Sequence, residues 1–346
     1  MFIYTKLCSV LKIVYVSNKR IIFVPVMTTE SWMVIVNPKA GSGKGLKDWP
    51  VISNQMYNRG LKFTCVFTEH KFHAIELTVS AINKGYRHIV AVGGDGTIHE
   101  VVNGIFIQKA VPTTDIFLAV IPTGTGNDWI RMYGISSTYS EAVEALVQKR
   151  TVLQDVGRVE FLETRVPHVR YMANVAGLGF DAIVNLKYNN LKDEGKYSKN
   201  LYLRSTFNTL LRFRNNHFDI KVDGKPFYSG MVFSGAVGIG RFNGGGMQQT
   251  PNAAIDDGLL DLTIIKDIPK LKVIRNFKLL YSGKIYTLPE VDYTQCRTIE
   301  ITTNPETRIE IDGEAVGTSP FKFALVPKSI KVVVGSSYKM SGGIDI

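Results

Sequence analysis

The chain has 346 residues, room for two domains at about 150 residues each. Hydrophobic residues make up 45% and charged residues 21%, the balance of a soluble globular protein rather than a disordered or collagen-like one. No run of 18 apolar residues occurs, which argues against a membrane-spanning bundle. Cys8, Cys65 and Cys296 are scattered, with no C-x-x-C pair, which argues against a disulfide framework or a cysteine-rich zinc site and suits a reducing cytoplasm. Lys plus Arg number 41 against 30 Asp plus Glu, a net +11 that favours nucleotides, nucleic acid or acidic lipid without choosing among them.

Residues 1–29 read as an arm or upstream extension. Lys6, Lys12, Lys19 and Arg20 break its apolar stretches, so the uninterrupted core of a secretory signal is missing. Aliphatic residues interleaved with Lys could also lie on a membrane surface. The simpler reading starts the chain near Met27, just before a strand at residues 32–36.

Residues 30–155 alternate strand and helix. Apolar runs at Met33–Val36, Phe63–Phe67, His88–Val92 and Ile116–Ile121 read as strands, three of them ending in glycine-rich turns. Phe72, Ile75, Val79 and Ile82 fall on one helical face. Thr97–Phe106 and Thr138–Arg150 read as helices; Thr97 with Glu100, and Thr138 with Glu141, have capping-box spacing. The pattern predicts a mostly parallel sheet, with any ligand beyond the carboxyl ends of its strands. Residues 156–325 carry short β-rich runs between Gly, Asp-Gly and Asn-Pro turns, with one helical stretch at Lys196–Arg214. The fold class is therefore an α/β N-terminal nucleotide-binding domain plus a mainly antiparallel β-sandwich C-terminal domain. A tail of residues 326–346 follows, whose run Ile330–Val334 fits either domain.

Three loops stand at three strand ends: residues 37–45, 93–97 and 122–128. Their glycines admit close approach of phosphate oxygens, and helix N-termini behind them add partial positive charge. The first is no Walker A loop, because Pro38 replaces the leading glycine and Gly45 follows Lys44. Asp95 is either an Asx-turn residue or, where phosphates bind, a carboxylate that needs a divalent cation or a proton between them. Glu100 reads as structural, and Asn127 and Asp128 as helix caps or ligand contacts. His70 and His73 lie three apart with no third ligand near in sequence, so a solvated helix end is preferred to a metal site.

Gly93-Gly94-Asp95-Gly96-Thr97, Asn37-Pro38…Gly41 before it and Pro122-x-Gly124-Thr125-x-Asn127-Asp128 after it resemble the diacylglycerol-kinase-type lipid kinases. The similarity continues through Ala176–Asp181, Gly244–Met247, Asp256–Asp261 and Ile311-Asp312-Gly313-Glu314, spanning roughly residues 32–335. The resemblance implies ATP and Mg²⁺ as cofactors and a lipid hydroxyl as acceptor. It places Asn37, Pro38, Lys39, Ala40, Gly41, Thr68, Gly94, Asp95, Gly96, Thr97, Ile98, His99, Glu100 and Thr125 at ATP, with Asn127 and Asp128 beside them. His99 occupies a position where relatives carry Asn, and is not read as catalytic. Asp312 or Glu314 would be the base, with strand alternation putting both on one face. Asp95 would act with the metal, and Asp257 with the carbonyls of Ala254 and Leu259 would hold a second cation. Peripheral contact with the inner membrane face is expected, through candidates Lys187, Lys192, Lys196, Lys199, Arg204, Arg212 and Arg214. No nucleic-acid platform is visible. The rival readings are an NAD kinase-like enzyme and a catalytically silent lipid- or nucleotide-binding regulator.

Overall fold

In the computed structural model residues 30–193 and 199–339 are described, so the expectations for residues 1–29 lie outside them. The chain runs β1 (Trp32–Val36), α1 (Ala40–Lys47), α2 (Trp49–Asn58), β2 (Phe63–Phe67), α3 (His73–Asn83), β3 (His88–Gly93), α4 (Asp95–Ile107), β4 (Phe117–Pro122) and α5 (Tyr139–Gln148). It continues with β5 (Thr151–Glu163), β6 (Val166–Met172), β7 (Val175–Gly179), α6 (Phe180–Asp193), α7 (Lys199–Arg212), β8 (Asn216–Val222) and β9 (Lys225–Gly238). Short β10 (Phe242–Asn243) and β11 (Met247–Gln248) precede β12 (Leu260–Lys266), α8 (Lys270–Asn276) and α9 (Lys278–Tyr281). Last come β13 (Val291–Cys296), β14 (Thr298–Asn304), β15 (Arg308–Ile311) and β16 (Glu314–Val333).

Strands β4, β3, β1 and β2 lie side by side in parallel. Every residue of β1 and β3 is buried, as expected of strands covered on both faces. The second half is antiparallel: β7, β9, β12 and β13 pair in turn, and β8 joins β9 to β14. Two large apolar cores result, beside a smaller cluster of Phe180, Leu210, Phe213, Phe233 and Ile268. One is built on β1, β3 and β4, the other on residues such as Phe161, Phe218, Leu262 and Ile299.

The antiparallel ribbon β5–β16 passes from one core to the other. Phe321 and Phe323 of β16 belong to the second core, while Ile330, Val332 and Val333 of the same strand belong to the first. There β16 pairs in parallel with β4, Lys331 opposite Phe117 and Val332 opposite Leu118. The Ile330–Val334 run thus closes the edge of the first sheet.

Three local expectations change. Helix α3 begins at His73, with Phe72 outside it at φ 66°, and it buries Ala74, Thr78, Ala81 and Ile82 rather than Ile75 and Val79. The helical stretch at Lys196–Arg214 is present as α7, but a second helix, α6, precedes it and packs on it, so this excursion holds two helices rather than one. Neither capping box forms: Thr138 sits at the start of α5 and Gly94 at the start of α4, both without a side-chain cap bond. Because one strand serves both cores, heating should produce a single cooperative transition in calorimetry, and Val332→Asp should lower that same transition. Two resolved transitions would contradict the shared-strand reading.

Candidate active site

The three glycine-rich loops meet at the carboxyl ends of β1, β3 and β4, and they touch through backbone. Gly41, Ser42 and Gly43 take φ of 58°, 60° and 92°, which turns the first loop over the third. A Cβ on Gly41 would stand 2.0 Å from the Thr123 carbonyl oxygen, and one on Gly124 would stand 2.5 Å from Gly94 Cα. Asn37 Nδ2 donates to Thr97 Oγ1 at 3.0 Å, joining the first loop to α4. Thr68 follows β2 and donates its N–H to Val36 O at 2.9 Å, beside Asn37. Lys39 and Thr125 are exposed on the rim, with Pro38 and Ala40 partly so. No side chain caps the first turn of α4, a terminus suited to an anion.

The segment from Gly94 to Glu100 divides by direction. Gly94, Asp95 and Gly96 lie on the rim. Ile98 is core, 2% exposed, and His99 is 1% exposed, so neither side chain faces a nucleotide. Glu100 accepts the N–H groups of Phe72 and Ala74, each at 3.0 Å. It is structural, as read from sequence, but it serves α3 instead of its own helix. Asn127 Nδ2 donates to Gly124 O at 2.9 Å, and its Oδ1 is buried without a hydrogen-bond partner. Asp128 precedes a short 3₁₀ turn without capping it; its Oδ2 accepts the Gly245 N–H at 2.7 Å.

Asp95 accepts the N–H groups of Asp128 at 3.2 Å and Trp129 at 3.1 Å, so it shapes the third loop from the start of α4. Burial, with the charge of Asp128 beside it, pushes its carboxyl up to about 6. Burial also raises Asp128, whose Oδ1 forms a 3.3 Å ion pair with Arg131. Two carboxylates that repel each other next to glycine-rich loops are hard oxygen donors of the kind a divalent cation takes. The residues present fit Mg²⁺ there.

The second domain contributes the hairpin between β15 and β16. Asp312 and Gly313 form its turn with φ of 51° and 88°, so simple strand alternation does not hold. Asp312 is buried. Its Oδ2 accepts from Ala173 N and His99 Nδ1, each at 2.9 Å, and its Oδ1 accepts from Asn174 N at 2.8 Å. Asn103 braces His99, donating to the His99 carbonyl at 2.8 Å and to Tyr171 O at 2.9 Å. Glu314 instead reaches the rim: Oε2 pairs with Lys71 Nζ at 2.6 Å, and a Cβ on Gly96 would lie 3.2 Å from Oε1. Both carboxylates lie against α4, but only Glu314, with its side chain 20% exposed, is open to a substrate.

Sequence reasoning did not find Lys71, Asn103 or Glu310. Glu310 lies under the hairpin and accepts the Gly313 N–H at 2.8 Å. Burial outweighs that bond, and with the charges of Asp181, Asp312 and Glu314 it raises the carboxyl to about 8.

Asp257, three residues beyond Ala254 in the same loop, accepts the Leu259 N–H through Oδ1 at 3.0 Å. Asp155 Oδ2 accepts the Gly258 N–H at 2.6 Å. Burial and the like charges of Asp155 and Asp256 raise Asp257, and burial pushes Asp261 nearby to about 6. At the start of α3 a third candidate ligand does exist: Glu76 joins His70 and His73, their ligand atoms all within 4.8 Å of one another. Yet His73 Nδ1 accepts the Glu69 N–H at 3.0 Å and His70 Nδ1 lies 2.9 Å from Lys71 O, so both rings already serve the helix end.

Glu310 fixes the sign of one pH effect. Its folded-state affinity for a proton exceeds that of a free carboxyl, so the stability carried by that proton is full below about pH 4.5 and is lost as pH rises through about 8. Glu310→Gln keeps an acceptor for Gly313 and should raise the melting temperature by at least about 2 °C at pH 8.5, with little change at pH 5. An equal shift at both pH values in a thermal melt would contradict this.

Two family models divide the chain: "Diacylglycerol kinase catalytic domain" matches residues 31–159, and "YegS C-terminal NAD kinase beta sandwich-like domain" matches residues 174–334. The chain is 30% identical over 316 residues to "Putative lipid kinase YtlR" of Bacillus subtilis, covering 87% of this chain and 98% of that one. It is 27% identical over 300 residues to a diacylglycerol kinase of Mycobacterium tuberculosis, covering 86% and 93%. A crystal structure titled as a diacylglycerol kinase from Bacillus anthracis superposes with a TM-score of 0.67 at 22% identity, over 90% of this chain and 98% of that one, and so shares the fold. Glycine loops on a parallel sheet, a sandwich domain hung on the same strand, and these matches along nearly the whole described length lead to one assignment: the chain belongs to the diacylglycerol-kinase-type lipid kinases, and it is a kinase.

Proposed function

We propose that the protein transfers the γ-phosphoryl group of ATP to the hydroxyl of diacylglycerol or a related lipid, with Mg²⁺. The observation that carries this reading is the placement of Glu314: a carboxylate from the second domain stands at the start of α4, beside Gly96 and across from the phosphate-holding loops.

Phosphoryl transfer depends on positioning and charge stabilisation more than on covalent help from the protein. Asn37–Gly41, Thr68, Gly94–Gly96 and Thr125 line the rim along which the triphosphate would lie. Asp95 and Asp128 would hold Mg²⁺, which when bound neutralises charge on the phosphates. Glu314 takes the proton from the lipid hydroxyl, and Lys71 anchors its carboxylate. Asp312 is a positioning residue, because three N–H donors already occupy its oxygens. The turn of Ala254, Asp257 and Leu259 would hold a second, structural cation, drawn by Asp257 and the neighbouring carboxylate of Asp155. Among the described residues no helix is long and apolar enough to cross a membrane; in this reading the lipid is met at a bilayer surface.

The basic candidates at α6 and α7 fall into three groups. Lys187 Nζ donates to Thr209 Oγ1 at 3.0 Å and bridges the two helices. Arg212 and Arg214 are exposed. Lys196 and the side chains of Lys192, Lys199 and Arg204 lie outside what is described.

The test is transfer from radiolabelled ATP, with Mg²⁺, over a panel of diacylglycerol, monoacylglycerol, ceramide and a sphingoid base, with NAD as a control acceptor. Label should enter a lipid; label in NAD alone, or in nothing, would overturn the reading. Glu314→Gln should lower kcat by about 10²–10⁴-fold with little change in ATP affinity, whereas near-normal turnover would remove Glu314 as the base. Asp95 must be ionised to serve a cation, so the apparent affinity for Mg²⁺ should weaken as pH drops through about 6 and the metal-free carboxyl gains its proton. An Asp95→Asn variant should be folded and inactive, and retained turnover would end the metal-linked role.

A further inference from the structure

We propose that α8 and α9, with the end of α7, form the face by which this protein docks on an anionic lipid bilayer; the inference deepens, and rests on, the lipid-kinase reading. Neither helix buries a single residue, although both are rich in apolar side chains. Leu271, Ile274, Phe277 and Tyr281 recur at intervals of three, three and four along consecutive helical turns, and they are between 42% and 67% exposed. That spacing keeps them on one side of the segment. Isolated exposed apolar residues need no explanation, but an aligned stripe does.

Charge names the occupant. Residues 270–289 contain Lys270, Lys272, Arg275, Lys278 and Lys284 and no Asp or Glu. Lys272 is matched by Glu290 at 2.5 Å, while Arg275, Lys278 and Lys284 are exposed. An apolar stripe flanked by basic residues is the arrangement of a helix lying in a headgroup layer, where acidic lipids meet the cations and acyl chains meet the stripe. The face extends to α7: Lys270 Nζ donates to Leu211 O at 2.5 Å, and Phe207 and Leu211 are about half exposed there. Between α7 and α8 opens a cleft of about 490 Å³, lined by Phe213, Met231, Phe233 and Ile268.

This face adjoins the phosphate site. Gln248 Nε2 of β11 donates to Tyr281 O at 3.2 Å, and the Gly244–Gly246 loop of the same hairpin donates the Gly245 N–H to Asp128. A bilayer held against α8 and α9 therefore lies one hairpin away from the loops at which ATP would bind.

The experiment is co-sedimentation of the full chain with vesicles of phosphatidylglycerol and phosphatidylcholine, compared with phosphatidylcholine alone, without ATP. The wild type should bind the anionic vesicles at least about 10-fold more tightly, since each basic residue near the surface contributes about fivefold, and added salt should weaken binding. Leu271→Glu with Ile274→Glu, and separately Arg275→Glu with Lys278→Glu, should each reduce binding by about 10-fold or more. Melting temperature and turnover on a dispersed short-chain diacylglycerol should be unchanged in both. Wild-type-like binding by both variants, or no preference of the wild type for anionic vesicles, would overturn the proposal. So would a concentration-dependent dimer that Leu271→Glu dissociates, because the face would then be a self-interface. Vesicle binding needs no turnover, and turnover on dispersed lipid needs no vesicle, so a failed docking face and a failed kinase reading give different results.

Discussion

The active-site geometry depends on one buried carboxylate. Asp312 is 6% exposed, at a point where α4, the β6–β7 junction and the β15–β16 hairpin meet, and a charge taken out of water there costs several kcal/mol unless it is met by donors. Two backbone N–H groups and the His99 ring meet it. His99 belongs to the first domain and Asp312 to the second, so satisfying this charge fixes the hairpin on α4. Glu314, two residues further on, is thereby carried to the rim. Glu314 and the glycine-rich loops come from different halves of the chain, and their separation is set by this contact together with the shared strand β16.

Environment separates the roles of the acidic groups. Asp312 is buried and met by three donors. Burial raises both Asp95 and Asp128, and the charge of Asp128 raises Asp95 further, a state that a divalent cation would relieve. Glu310, raised to about 8, stays protonated at neutral pH and lets the hairpin rest on a neutral group instead of adding another negative charge beside Asp312 and Glu314. Glu314, alone of the hairpin's acidic groups, combines a cationic partner with access to the cleft.

Much of this was legible in the sequence, for local reasons. Gly41, Gly94 and Gly124 mark loops that approach through backbone, and glycine clusters after β-branched runs identify strand ends. The C-terminal strand run at Ile330–Val334 was visible, but its destination was not, because periodicity gives a strand's face and not its neighbour. The same limit hid the side-chain assignments. His99 meets a carboxylate 213 residues away, and Glu100 caps a helix that begins 27 residues before it, where local spacing had offered a capping box. Alternation misled at Asp312 and Glu314 because a two-residue turn with positive φ lies within the motif. Helices α8 and α9 were missed because neither buries a residue and Leu271, Ile274 and Tyr281 face outward, with Val273 only partly buried against the cluster of Phe213 and Phe233, which weakens the packing signal a helix usually carries.

The most direct measurement is a double-mutant cycle between His99 and Asp312. His99→Ala, Asp312→Asn and the double variant would each be unfolded thermally at one pH. A contact that holds two domains together should show a coupling free energy of at least about 1.5 kcal/mol. Effects that add to within about 0.5 kcal/mol would show that the pair does not hold the hairpin on α4, and the placement of Glu314 would need another cause.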